Sequence, residues 1–292
     1  MEINQFKSNN MKKLVFVCFL ICSSTLAFAQ QKFSFAFFTD IHLNNNAKAN
    51  SFKGLEQAAL LAKQQQVDFI LTGGDNVDVD AMKEDKLSQA KDLYQRYQDL
   101  VKKTGMKWYF TLGNHDRYWH SDGEYGTGLF QNYFGKPYYS FEHKGWKFIV
   151  LNSAEICDGK YCVSDAQKSW LADVLASTPS SQPIIVSAHV PFLSLYYPVL
   201  EGYYTDKDTF KNQQEIRAMF DKHNLKLVLQ GHQHLYEEIK VKGVQYITAG
   251  AVSANWWSGA FHGTEEGFLK INLDGDKFNW EYVDYGWNVV KN

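Results

Sequence analysis

The chain has 292 residues, 45% of them hydrophobic and 16% aromatic, with 8 Trp and only 5 Pro. That composition excludes a disordered or linker-rich protein and suits one large domain with a full core. With 30 basic and 32 acidic residues the net charge is −2, so there is no cationic footprint for polyanions, and nucleic acid is not an expected partner.

The first segment reads as an export leader. Lys12 and Lys13 precede an apolar run over residues 14–21, and Ala27, Phe28 and Ala29 supply a small-x-small cleavage pattern. The run is short for a membrane span. Met11, directly before the lysines, offers an alternative start. Cleavage after Ala29 predicts a signal peptide over residues 1–29 and a single domain over 30–292, periplasmic or secreted, with no membrane span in the mature form. It would remove Glu2, Lys7, Lys12 and Lys13, taking the net charge to about −4, together with Cys18 and Cys22. Cys157 and Cys162 remain, and in an oxidising compartment two thiols this close point to a short structural disulfide.

Residues 32–42 read as an apolar strand, and 52–66 as a helix with Leu55, Ala58, Ala59 and Ala62 at helical spacing. A buried-strand run over 67–71 ends at Gly73 and Gly74. A long polar helix over 82–103 carries Leu93, Tyr94, Tyr97 and Val101 along one stripe, and a strand follows over 107–112. This β-α-β-α-β order predicts a layered α/β domain with crossover helices. Beyond it come a hairpin (138–141 and 147–151), helix 165–176, strand 183–188, helix 211–223 and strand 225–229. The end is strand-rich, with strands at 237–241, 245–247, 268–273 and 278–283. Two packed sheets with outer helices are the simplest arrangement.

Five short groups each sit where a predicted strand gives way to a loop. They are Asp40-Ile41-His42, Gly74-Asp75-Asn76, Gly113-Asn114-His115-Asp116, His189, and Gly231-His232-Gln233-His234. Loops beyond the carboxyl ends of strands are where α/β sheets collect ligands, so these groups can converge. Carboxylate, imidazole and amide donors suit Mn, Fe or Zn, with no thiolate to select a softer site. Asp40 and His42, and likewise His232 and His234, are two apart, which on extended backbone sends both side chains to one face. Glycines before Asp75, Asn114 and His232 allow tight turns. Each group alone is weak evidence, but the ordered set is specific.

On these motifs, spanning Asp40 to His234, the chain resembles the calcineurin-like metallophosphoesterases. The resemblance implies a four-layer α-β-β-α sandwich of two mixed sheets, with two divalent or mixed-valence metal ions at one edge. Carried over by motif, Asp40, His42 and His234 hold one metal, Asn114, His189 and His232 the other, and Asp75 bridges them. His115 is not a ligand in this pattern and is then the general acid or a phosphate-contacting cation, with Asp116 holding its ring. The purple acid phosphatase branch carries a tyrosine ligand three residues after the bridging aspartate and lacks the first-motif histidine. Here Asp78 and His42 occupy those positions. The pattern is closer to the cyclic-nucleotide phosphodiesterase-like branch, and it implies a protein without tyrosinate charge-transfer colour.

The implied activity is hydrolysis of a small-molecule phosphate ester, a phosphodiester by the branch resemblance, with two metals activating water for in-line attack on phosphorus. Alternatives are a phosphomonoesterase acting on an external nucleotide, sugar or lipid head-group phosphate, and, in a different class, a catalytically silent metal- or phosphate-binding protein. The intact His115 and Asp116 count against a pure binder. Aromatic loops suggest a pocket wall at Trp256 and Trp257, and Arg117 beside the motif is a candidate phosphate contact. Metal identity, oligomeric state and natural substrate are left open by the sequence.

Overall fold

Alternation within the strands builds the sandwich. In β1 (Phe33–Phe38), Phe33, Phe35 and Phe37 face one way and Ala36 and Phe38 the other, as a two-residue period requires. The same happens in β8 (Pro183–Ala188), where Ile185 faces inward and Ile184 and Val186 outward. The inward sets meet in one aromatic-rich layer with Phe69, Leu71, Phe148, Leu227, Leu229 and Ile271. The outward sets need helices to cover them. The computed structural model describes residues 32–289; the leader predicted over 1–29 lies outside them.

The first sheet has the order β13-β12-β1-β2-β3. Its parallel strands β1, β2 (Phe69–Thr72) and β3 (Lys107–Tyr109) are joined by helices α1 (Ser51–Gln64) and α2 (Leu87–Thr104). The antiparallel pair β12 (Gly267–Asp274) and β13 (Lys277–Asp284) extends it on the β1 side. The second sheet has the order β10-β11-β9-β8-β5-β4. In it, β5 (Trp146–Leu151), β8, β9 (Asn224–Gln230) and β11 (Val244–Thr248) are parallel neighbours. The edges, β4 (Tyr139–His143) and β10 (Glu237–Val241), are antiparallel.

Helices α1, α2 and α3 (Gly128–Phe134) cover the outer face of the first sheet, and α4 (Asp165–Ala176) and α6 (Gln213–Met219) that of the second. Ser164 starts α4 by accepting a hydrogen bond from Gln167 N through its hydroxyl, with Asp165 favourably placed in the first turn. The result is a four-layer α-β-β-α sandwich. No helix among the described residues is long and apolar enough to cross a membrane.

Three short features were not foreseen: α3, α5 (Tyr196–Glu201), and the small two-stranded sheet of β6 (Glu155–Cys157) and β7 (Lys160–Cys162). Cys157 and Cys162 are joined as a disulfide across that hairpin, with Cα atoms 5.8 Å apart. The helix expected over 211–223 is shorter. After Met219, Phe220 N and Asp221 N bond three residues back, to Arg217 O and Ala218 O, and the chain leaves as turns.

Candidate metal centre

The five motifs converge at one edge of the sandwich, where β1, β2 and β3 of one sheet and β8 and β9 of the other run out. His234 Nε2 lies 2.9 Å from His42 Nε2 and 3.5 Å from Asp40 Oδ1. His189 Nε2 lies 3.0 Å from Asp75 Oδ2 and 3.0 Å from Asn114 Oδ1. His42 Nε2 is 3.7 Å from the same Asp75 oxygen, so Asp75 stands between the two clusters. Asp40, His42 and His234 form one set of converging donor atoms and Asp75, His189 and His232 a second; His42 also converges with Asp78 and His115 in a third, which lies on the outer side of His42.

The backbone route to this convergence differs from the extended segments expected. Asp40, His42, Asp75, His232 and His234 all have positive φ, between 49° and 76°. Each costs roughly 1–2 kcal/mol for an L-residue, with Asp and His among the more tolerant types. The loops are held there by mutual hydrogen bonds, Asp40 N to Gly74 O, His42 N to Asp75 O and Leu43 N to Asn76 O. Several glycines here leave no room for a side chain. A Cβ on Gly113 would lie 2.1 Å from Asp75 N, and one on Gly74 would lie 2.4 Å from His189 Nδ1.

The histidines are wired for coordination. His189 Nδ1 donates to Gly73 O at 2.9 Å and His234 Nδ1 to Ala254 O at 2.5 Å. His42 Nδ1 pairs with Asp78 Oδ1 at 2.5 Å. A carbonyl can only accept, so in His189 and His234 Nδ1 carries a proton, and Nε2 is the ring atom turned toward the acidic residues. Asp208 lies on the outer side of His232, 3.7 Å from its Nε2. One ring nitrogen fixed by an outer acceptor and the other facing inward is the arrangement that orients metal-ligating imidazoles. Mixed carboxylate, imidazole and amide donors in two converging sets fit a pair of borderline metal ions.

Electrostatics follow from burial and crowding. Burial opposes ionisation of Asp75, but His189, His115 and His42 outweigh it and hold the carboxyl well below its ordinary value. Burial lowers His189, yet Asp75 and Asp40 carry it up to about 9. His42 is likewise raised against burial, through Asp78, Asp75 and Asp40. His234, buried and facing His42, falls to about 4 and stays neutral.

Other expectations are corrected. Asp116 does not hold His115. Its buried carboxylate accepts from Asn76 N, Val77 N, Gly113 N and Asn76 Nδ2, tying the loop after β2 to the loop after β3. The ring of His115 is held instead by Asp80, with Nδ1 2.8 Å from Oδ1. Burial lowers His115, but Asp80 and Asp75 outweigh it and raise the imidazole to about 10. Arg117 is fully buried, so it does not present its guanidinium to solvent as a phosphate contact would. Trp257 is 2% exposed and packs into the core against Trp287, donating to His42 O. Trp256 is 41% exposed and stacks on His234 at 4.0 Å, so of the two tryptophans it alone can meet a ligand.

Residues 33–236 match the family model of the calcineurin-like phosphoesterases. A 3',5'-cyclic-nucleotide phosphodiesterase from Nostoc sp. is 28% identical over 210 residues, covering 69% of this chain and 71% of the relative. A dimetal phosphatase from Danio rerio shares the fold at a TM-score of 0.61 and 14% identity, over 86% of this chain and 95% of that one. A purple acid phosphatase from yellow lupin superposes at 0.62 with 17% identity, over 88% of this chain and 52% of its own length. With that match spanning most of the described residues, and an edge that gathers the family's aspartate and histidine motifs, the chain belongs to the calcineurin-like phosphoesterases.

Proposed function

We propose that this hydrolase is an exported phosphodiesterase whose dinuclear centre is held by Asp40, His42 and His234 on one side and by Asn114, His189 and His232 on the other, with Asp75 between. The observation that carries the ligand assignment is the fixed Nδ1–H of His189 and His234, which leaves each Nε2 as the ring atom aimed at the acidic residues. Two bound metals would acidify a shared water and neutralise charge developing on the phosphoryl oxygens. The chain's own part is positioning and proton supply. His115, protonated and held by Asp80, donates a proton to the departing oxygen. Asp75 also accepts from His115 N at 2.8 Å, which fixes that backbone against the centre. The diester preference rests on the Nostoc relative's activity and on the presence of His42 and Asp78; export rests on the leader-like residues 12–29.

The test is hydrolysis of bis-p-nitrophenyl phosphate and p-nitrophenyl phosphate by metal-stripped protein with Mn, Fe or Zn restored. Turnover restored by metal, faster on the diester, and lost by His115→Ala with metal content intact is the expected result. Asp75→Ala should lose both metal and turnover. A faster monoester rate would favour the phosphomonoesterase reading, and two bound metals without turnover on either ester would favour a silent binder. N-terminal sequencing of protein recovered outside the cytoplasm should begin at Gln30; an intact N-terminus would remove the export assignment.

A further inference from the structure

The hairpin of β6 and β7 belongs to neither large sheet. An isolated two-stranded hairpin is marginal by itself, yet this one is fastened from several sides. The Cys157–Cys162 disulfide closes it, Lys211 N donates to Tyr161 O, and Lys211 Nζ reaches Asp158. Glu155 accepts from Ser164 N and Gln167 Nε2 on the α4 side. So much anchoring of six paired residues calls for something that the hairpin delivers, and Tyr161 is the side chain it holds at the metal centre.

The Tyr161 ring packs edge-on against His232, with centroids 5.6 Å apart at 84°, and His232 in turn lies 5.1 Å from His189. Tyr161 is half-buried, and its hydroxyl makes no hydrogen bond among the described residues. Its phenol is a ready donor at neutral pH. Close to it lies the buried Arg117, whose guanidinium nitrogens have no hydrogen-bond partner. That cation, which feels Glu155, Asp75 and Asp116 and lies over the Trp119 ring, adds positive potential on the Tyr161 side of the centre without reaching the surface itself.

We propose that Tyr161 is a substrate-contacting residue, donating its phenolic O–H to a non-bridging phosphoryl oxygen, and that the Cys157–Cys162 disulfide positions it for that contact. The assignment rests on the phosphoesterase reading of the same site. Tyr161→Phe keeps the ring against His232 and removes only the donor. The disulfide acts through Tyr161, so its reduction should matter only while the hydroxyl is present.

The test uses inorganic phosphate as the probe, titrated calorimetrically into metal-reconstituted full-length protein, with metal content measured alongside. Tyr161→Phe should bind phosphate about tenfold more weakly, the worth of a hydrogen bond to a charged group, with unchanged metal. Reduction by a phosphine should weaken phosphate binding and raise KM in the wild type, and should add nothing in Tyr161→Phe. Phosphate binding by Tyr161→Phe equal to wild type, in a wild-type protein that hydrolyses esters, overturns the contact alone. Equal losses on reduction in both proteins overturn the positioning role of the disulfide. A wild-type protein that holds metal but neither binds phosphate nor turns over removes the phosphoesterase site, and this contact with it.

Discussion

Asp80 governs His115 more directly than the neighbour the motif suggested. His115 is raised to about 10 by the Asp80 hydrogen bond and by Asp75, against burial. A raised imidazole keeps its proton below that value and loses it as pH climbs through it, so the donor form should persist through neutrality. Asp80→Asn removes one carboxylate charge, so the basic limb of the pH–rate profile should move to lower pH. The turnover number should fall about tenfold or more, a fraction of what general-acid catalysis supplies. An unmoved basic limb would mean that another group is the proton donor. His189 makes a second prediction: raised to about 9, it is protonated at pH 7, and a metal ion must displace that proton to use Nε2. Metal titration of stripped protein should release about one proton or more, since His42 is raised as well, read as a binding heat that differs between PIPES and Tris buffers. Equal heats would count against His189 as a ligand. The proposed ligands were legible in the sequence because their types and order repeat a pattern. The carboxylates behind the rings were not, Asp78 at His42, Asp80 at His115 and Asp208 near His232, since a carboxylate that orients a ring obeys no spacing rule. Nor does adjacency give direction: Arg117 follows the third motif and Trp257 follows Trp256, yet both side chains turn into the interior.

Among the elements, long periodic segments were readable and short ones were not. Helix α4, β8 and β10 lie where the pattern placed them. The three-residue strands β6 and β7 are too brief to express a period, and the seven residues of α3 span barely two turns and open on glycine. The first motif reads as a continuation of β1 because apolar Ile41 and Leu43 alternate with Asp40 and His42, while the left-handed turns at Asp40 and His42 leave no compositional trace. At the opposite end of β2, Asp68 joins the two sheets by meeting His143 at 2.7 Å and Lys144 at 2.6 Å, both in the β4–β5 turn region. Burial would raise its carboxyl, but Lys144 and His143 lower it on balance. A depressed carboxyl contributes stability above its unfolded value near 4 and loses it as pH falls through the lower folded value. Asp68→Asn should therefore cost about 1 kcal/mol or less at pH 7, with the difference from wild type vanishing in acid. Urea midpoints at pH 7 and pH 3 would read this, and a difference that persists at pH 3 would assign the loss to packing.

Across the whole molecule, each proposed metal set draws from both sheets. Asp40 and His42 follow β1 while His234 follows β9; Asp75 and Asn114 follow β2 and β3 while His189 and His232 follow β8 and β9. The aromatic layer between the sheets sets how far apart these loops stand, and the strained loops at the edge spend part of the stability that layer supplies. Bound metals would then act as clips across the sandwich, stabilising the folded chain by mass action because the unfolded chain offers no such convergence. At metal concentrations a hundred times the dissociation constant this amounts to about 2.7 kcal/mol, which for a domain of this size is a rise in Tm of roughly 5–10 °C. Asp75→Ala should abolish the metal-dependent shift, whereas His115→Ala, which touches no proposed ligand role, should retain it in full. Thermal melts of the stripped and reloaded proteins separate the cases: a shift that survives Asp75→Ala would place the stabilising metals elsewhere, and a shift lost with His115 would make that residue a ligand and reassign the proton donor.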